Sequence, residues 1–255
     1  MTPRLHPDFL SKALAHRGLH DVADGRPENS RAAIRAAVSY GYGVEIDLQL
    51  SADNHAMVFH DYELNRLTNE AGFVRARDAK QLSDVTLLGS TEGIPDLAEI
   101  LDLVAGLVPL LIEFKDQDGM MGRNVGPLEQ AAADVLRAYT GRYAVMSFNP
   151  NSVAMLAKIM PEVPRGIVTN AYRYDDWPLS HTICDHLRDI PDFDRVGASF
   201  ISHEVNDLHR PRVADLKTLG ADILCWTVKS AAQEIKARKV AQNITFEQYF
   251  ATTVA

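Results

Sequence analysis

A chain of 255 residues exceeds the usual small domain and is about what a (β/α)8 barrel needs. Its 46% hydrophobic and 24% charged content is ordinary for a globular protein, and a net charge of −8 argues against nucleic acid, whose phosphates demand a basic face. A small anionic substrate needs only a local positive site. The two cysteines, Cys184 and Cys225, form neither a disulfide framework nor a C-x-x-C pair and are expected to be reduced and buried. The stretch 1–18 has no long apolar run, so no signal peptide and no membrane span are expected, and the expected location is cytoplasmic.

In chain order, "ALAHRG" (13–18) reads as a first strand, and "ENSRAAIRAAVSYG" as a helix capped by Asn29 or Ser30 and closed by Gly41. "GVEIDLQLS" is strand 2. "PDLAEILDLVAG" repeats apolar residues at Leu97, Ile100, Leu101 and Val104 and is a helix, followed by "VPLLIEFK" as strand 3 and a helix through "PLEQAAADVLRAY". "YAVMSF", "RGIVTN", "VGASFIS" and "ADILCWTV" read as strands 4 to 7, with helices in "PNSVAMLAKIM", loosely near 182–187, in "PRVADLKTLG" and in "SAAQEIKARKV". "NITFEQYF" reads as a last strand running into a short helix. Eight strands alternating with helices predict an α/β fold, a closed (β/α)8 TIM barrel, as one domain over 1–255.

One stretch breaks the alternation. Only Ala-Asp-Asn-His separates Ser51 from Ala56, too short for a parallel crossover, so "MVFHD" returns as an antiparallel hairpin around the turn-prone Asp53-Asn54. Pairing Ser51 with Ala56 predicts that Asp47 faces His60.

Active sites of such barrels sit at the C-terminal ends of the strands. There the sequence puts His16 and Arg17 (strand 1), Glu45 and Asp47 (strand 2), Glu113 and Lys115 (strand 3) and His60 from the hairpin. Glu45 and Asp47 stand two apart on a strand and so share a face, which a core without a counter-charge would not choose. Three carboxylates together suit a hard divalent cation on oxygen ligands, Mg2+ or Ca2+. Arg17 and Lys115 add donors for an anion, and two histidines supply a proton acceptor and a proton donor, a set suited to phosphoryl transfer or phosphodiester cleavage. Phe148 and Trp226 end their strands, where an aromatic can wall a substrate pocket. His20, His55, His181, His186, His203 and His209 read as ordinary surface or loop histidines.

The ordered set "AHRG", "PENS", "EIDLQLSAD", "VFHD", "LNRLTN", "IPDLAEIL" and "LIEFK", with "MSF" and "WTV" further on, resembles the glycerophosphodiester phosphodiesterase family over nearly the whole chain. The resemblance implies a (β/α)8 barrel with a small insertion between strand 2 and helix 2, here 61–93. It implies hydrolysis of glycerophosphodiesters to sn-glycerol 3-phosphate and an alcohol, with one divalent cation. The family's metal positions match Glu45, Asp47 and Glu113, its catalytic histidines His16 and His60, its phosphate contacts Arg17 and Lys115, and its aromatic wall Trp226. Ser30 stands where the family often has Thr, Asp53-Asn54 replaces its Asp-Gly turn, and "WTVK" replaces "WTVN", so that Lys229 either adds charge at the rim or points to solvent. The alternatives are a related phospholipase C- or D-like enzyme acting on a lysophospholipid or inositol lipid, and a non-catalytic binding protein on the same barrel. The alcohol group, the native metal, which histidine is the base, and the oligomeric state stay open.

Overall fold

The computed structural model describes residues 2–252. Its elements run α1 (Asp8–Ser11), β1 (Leu14–Ala15), α2 (Arg31–Ser39), β2 (Gly43–Leu50), β3 (Ala56–Val58), α3 (Ala79–Ser83), α4 (Leu97–Val104), β4 (Leu110–Phe114), α5 (Pro127–Leu136), β5 (Tyr143–Ser147), α6 (Pro150–Ile159), β6 (Arg165–Thr169), α7 (His181–Arg188), β7 (Phe200–Glu204), α8 (Pro211–Thr218), β8 (Asp222–Val228), α9 (Ala231–Ala237) and β9 (Asn243–Phe246). Strands β1, β2 and β4 to β9 pair in parallel in that cyclic order, and β9 returns to β1, which closes an eight-stranded barrel. This is the (β/α)8 fold that the alternation implies.

Period two along each strand divides the side chains into two sets. Val44, Ile46 and Leu48 of β2, Leu110, Ile112 and Phe114 of β4, and Ile223 and Cys225 of β8 face out and pack under the helices. Leu14, Leu111, Ala144, Val168, Phe200 and Leu224 face in and fill the barrel, and Phe9 of α1 packs against them. Gly166 makes this filling possible, because a Cβ there would lie 2.3 Å from the ring of Phe200 on the neighbouring strand. Helix starts are capped as their sequences suggest: Ser30, Asp96, Ser180 and Ser230 each accept a hydrogen bond from a backbone N–H in the first turn, typically worth about 1 kcal/mol. Cys184 and Cys225 are free and buried.

β3 runs antiparallel to β2, as the short turn requires, but one step out of the expected register. Leu50 pairs with Ala56, and Ser51 donates its N–H to the carbonyl of His55 at 3.0 Å. Asp47 therefore faces Phe59, whose N–H donates to the Asp47 carbonyl at 3.0 Å, and not His60. The turn closes through the Ser51 side chain, which accepts from the His55 N–H at 2.8 Å and so shortens the loop by one residue. Residues 61–93 lie between β3 and α4 and carry Leu64, Leu67, Val74, Leu82, Val85 and Leu87, which pack with Met57, Phe59 and Ile94 into a cluster of their own outside the barrel. No helix follows β9 among the described residues, so the expected terminal helix is absent over 247–252.

Candidate active site

The inward set changes character at the C-terminal ends of the strands. On β2 and β4 it becomes Glu45, Asp47 and Glu113, with Asp47 and Glu113 side by side in the ladder. One oxygen from each lies within 4.8 Å of the others, and all three are buried. Lys115 reaches back over the cluster, its Nζ 2.8 Å from Asp47 Oδ1 and 2.6 Å from Glu113 Oε1. Arg17 closes the other side with its Nε 3.2 Å from Asp47 Oδ2, while its backbone N–H donates to Glu45 Oε2 at 3.0 Å. Asn29 donates to the same Asp47 Oδ2 at 2.9 Å.

The backbone is bent to make this possible. Arg17 has a φ of 54°, a left-handed conformation costly for a residue with a side chain. Gly18 follows it against α2, so close that a Cβ would lie 2.8 Å from the Ala33 carbonyl carbon. The turn that aims Arg17 and its N–H at the carboxylates thus needs glycine in the "HRG" stretch.

Charge does not balance within the cluster. Five carboxylates, Glu28, Glu45, Asp47, Asp61 and Glu113, are here linked to three cations, Arg17, Arg66 and Lys115, which leaves a formal excess of two negative charges. Burial, with Asp47 and Glu113 beside it, pushes the Glu45 carboxyl well above its usual range. Burial would raise Asp47 as well, but Lys115, His60, Arg17 and His16 outweigh it and hold it well below that range. Glu45 Oε1 is buried with no hydrogen-bond donor. Two negative charges in excess, an orphaned carboxylate oxygen and an all-oxygen donor set fit a hard divalent cation. The ammonium of Lys115 stands in for part of its charge in this arrangement.

The histidines flank this cluster, each turned by its own carboxylate. His16 donates from Nδ1 to Glu247 Oε2 at 2.6 Å and directs Nε2 toward Glu45, 4.0 Å from its Oε2. Burial pushes the His16 imidazole down to about 4 despite Glu247. Glu247 also takes Lys229 Nζ at 2.8 Å. His60 Nδ1 lies 2.6 Å from Asp61 Oδ1; Asp61 is held by Arg66 at 2.6 Å, and Arg66 is held in turn by Glu28 at 2.8 Å. Glu28 also takes Arg17 at 2.6 Å, so the His60 side of the mouth is wired to the Arg17 side.

A cavity of about 710 Å³ opens over these groups. Its wall from β5 to β8 is apolar, with Met146, Phe148, Val168 and Trp226, extended by Met121 and Trp177. Phe148 and Trp226 meet edge to face with ring centroids 5.5 Å apart. The mouth is therefore charged on the side of β9, β1, β2 and β4 and apolar on the side of β5 to β8.

Residues 16–244 match the model of the "Glycerophosphoryl diester phosphodiesterase family". The chain belongs to that family. Its relatives include the protein YhdW of Bacillus subtilis, 27% identical, with 91% of this chain and 90% of that one aligned. A glycerophosphodiester phosphodiesterase of Caldanaerobacter subterraneus is 29% identical, with 66% of this chain and 70% of that one covered. Among solved structures, an Oleispira antarctica phosphodiesterase in complex with the product sn-glycerol-3-phosphate shares the fold with a TM-score of 0.77, at 22% identity and 94% coverage of both chains. The family assignment makes this chain an enzyme, a phosphodiesterase.

The nine residues singled out in the sequence, His16, Arg17, Glu45, His60, Glu113, Lys115, Phe148, Trp226 and, beneath them, Asp47, gather at this one mouth. Several partners escaped the sequence. Glu28 and Asn29 lie within the "PENS" stretch that marked a helix start, Asp61 and Arg66 open the insertion, and Glu247 lies where a helix was expected. Two of the histidines expected to be ordinary surface or loop residues have tertiary partners. His203 is fully buried, 2.6 Å from Thr169 Oγ1 and 3.2 Å from Asp207, and His20 lies against Glu247. Lys229 is half-exposed but ends on Glu247 rather than in solvent. No helix among the described residues is long and apolar enough to cross a membrane.

Proposed function

We propose that the chain hydrolyses glycerophosphodiesters to sn-glycerol 3-phosphate and an alcohol, with Glu45, Asp47 and Glu113 holding one divalent cation, Mg2+ or Ca2+, and with His16 and His60 as base and acid. The observation that carries this reading is the convergence of two carboxylate-oriented histidines on a carboxylate cluster two charges short of neutrality. The catalytic domain comprises the barrel over 1–255, with 61–93 as its insertion. When bound, the cation polarises a phosphate oxygen and offsets the charge that develops there.

The residues of the chain divide the remaining work. Arg17 and Lys115 bind the phosphate anion. His16 is neutral at physiological pH and, with Nδ1–H given to Glu247, carries its lone pair on Nε2, where it takes a proton from the attacking hydroxyl. That hydroxyl is the neighbouring glycerol hydroxyl or a water molecule. His60, held at Nδ1 by Asp61 at 2.6 Å, gives a proton to the leaving alkoxide. Phe148 and Trp226 exclude water from one side of the pocket.

A lysophospholipid is the second reading, favoured by the apolar wall of Met121, Met146, Phe148, Val168, Trp177 and Trp226. Release of glycerol 3-phosphate from glycerophosphocholine, with and without EDTA, tests the first. A protein that releases none, or releases it equally in EDTA, contradicts the reading. Preferential cleavage of a lysophospholipid would support the second.

A further inference from the structure

His16 faces two clusters. Its Nε2 points to the carboxylates, but its Nδ1 belongs to a different set: His16 Nδ1, His20 Nε2 and a Glu247 oxygen lie within 4.8 Å of one another. His20 Nε2 is 3.5 Å from Glu247 Oε2, and Glu247 Oε1 is taken by Lys229, which leaves Oε2 to the two imidazoles. An independent observation concerns His20 itself. Its Nε2 is buried and meets Glu247 Oε2 only at 3.5 Å without good hydrogen-bond geometry, a poorly satisfied state that costs free energy. Mg2+ and Ca2+ take oxygens, whereas two imidazole nitrogens and one carboxylate oxygen are a donor set for Zn2+.

We propose that His16, His20 and Glu247 form a second metal site, selective for Zn2+ and inhibitory, separate from the carboxylate cluster. Zn–N and Zn–O bonds of about 2.0–2.2 Å place tetrahedral ligands roughly 3.3 Å apart, so the 2.6 Å His16–Glu247 hydrogen bond opens by less than an ångström and the His20–Glu247 spacing hardly changes. The proton balance is simple. Before binding, Nδ1 carries the proton and Nε2 the lone pair. Zn2+ takes the Nδ1 lone pair, and the proton displaced from Nδ1 is replaced at Nε2, with no net change in the imidazole. His16 then presents an N–H donor where it had presented an acceptor, and it can no longer accept a proton from the nucleophile. Binding is independent of the proposed reaction; inhibition rests on His16 acting as its base.

The test is titration of Zn2+ into the full chain held in excess Ca2+, followed by calorimetry or equilibrium dialysis. One Zn2+ should bind. His20→Ala should weaken it by at least the ~10–100-fold that even outer partners of metal ligands are worth, with unchanged melting temperature, and inhibition is read against each protein's own zinc-free rate. Zinc should inhibit glycerophosphocholine hydrolysis at any Ca2+ concentration in the wild type and far less in His20→Ala. Co2+ bound in place of Zn2+ should show the visible absorption of a four-coordinate site, lost in the same variant. The proposal is overturned if no Zn2+ binds, if His20→Ala binds it as tightly, or if rising Ca2+ displaces it, which would put the ion on the carboxylates. Should His20→Ala fold poorly, His20→Gln carries the comparison. A chain inactive on glycerophosphodiesters would overturn the inhibition but leave the binding result to decide the site.

Discussion

Glu247→Gln separates the orientation of His16 from its mere presence. The carboxylate accepts from His16 Nδ1 at 2.6 Å and is held well below the usual carboxylate range, where burial alone would raise it, by His16, His20 and Lys229. An amide of the same size has one oxygen and one NH2. If its NH2 meets His16, the imidazole must accept at Nδ1 and carry its proton on Nε2, the wrong tautomer for a base. Replacing a carboxylate by an amide in such a pair costs up to ~10⁴-fold in kcat, and general-base help as a whole is worth ~10²–10⁴-fold. A fall of ~10²–10⁴-fold, about 3–5 kcal/mol of barrier, is therefore expected. KM should change little, because Glu247 lies behind the histidine. Lys229→Ala removes a half-exposed ion pair at 2.8 Å from the same carboxylate, and such pairs are worth at most about 1 kcal/mol, so it should cost no more than about fivefold. Initial rates on glycerophosphocholine at saturating Ca2+, with melting temperatures as a fold control, measure both. If Glu247→Gln folds normally and keeps kcat within a few-fold of wild type, then Glu247 does not set the tautomer, and the assignment of His16 as base fails with it.

Glu113→Gln should weaken metal affinity and lower activity, with partial rescue by excess metal; unchanged activity at limiting metal would take Glu113 out of the ligand set. His16→Ala and His60→Ala should each lower kcat by ~10²–10⁴-fold, and the double variant should be little worse than the worse single one, because residues acting in one step are not additive. A diester of p-nitrophenol, which leaves without a proton, should partly rescue His60→Ala and not His16→Ala; the opposite pattern exchanges acid and base. Since burial lowers His16 from 6.5 to about 4, the unfolded chain binds its proton first on acidification, and stability conferred by the neutral, buried ring is lost as pH falls from 6.5 to 4. The metal-free wild type should thus lose up to ~3 kcal/mol more than His16→Asn over that interval in urea titrations, and parallel pH profiles would remove the effect.

Much of the fold was legible because it is local. Strands β4, β5 and β8 are mostly apolar runs and β2 alternates apolar with polar residues, and helix starts carry Ser, Asp or Pro where the caps are found. The hairpin was legible from the arithmetic of chain length, since four residues cannot cross a barrel. Its register was not. The choice between pairing Ser51 with Ala56 or with His55 depends on a side-chain hydrogen bond from the His55 N–H to Ser51 Oγ, and strand composition is indifferent to it. The terminal segment misled for a similar reason. "FEQY" has helix formers, but Glu247 is pulled toward His16 and Lys229, and that tertiary pairing overrides propensity.

The site shows the same division, and it shows why. Glu45, Asp47 and Glu113 could be found because a buried strand has no reason to carry charge on its inward face, so each is an anomaly visible on its own strand. Glu28, Asp61, Arg66 and Glu247 lie in loops, where charge is ordinary; the first three fall within "PENS", "VFHD" and "LNRLTN", but no local pattern gives any of them a role. Their importance exists only across space: Glu28 touches both Arg17 and Arg66, and Arg66 touches Asp61, which touches His60. This chain of contacts joins the two sides of the mouth on the charged half of the barrel, with no counterpart among the apolar residues of β5 to β8. It follows that Arg66, half-exposed and carried by the insertion, should matter to His60 more than its exposure suggests. Arg66→Met would leave Asp61 without its second partner and free to rotate, so kcat should fall while metal affinity, set by Glu45, Asp47 and Glu113, stays as it is. The p-nitrophenyl diester should soften that fall as it does for His60→Ala. Equal losses on activated and unactivated diesters would mean that Arg66 serves the phosphate and not the acid.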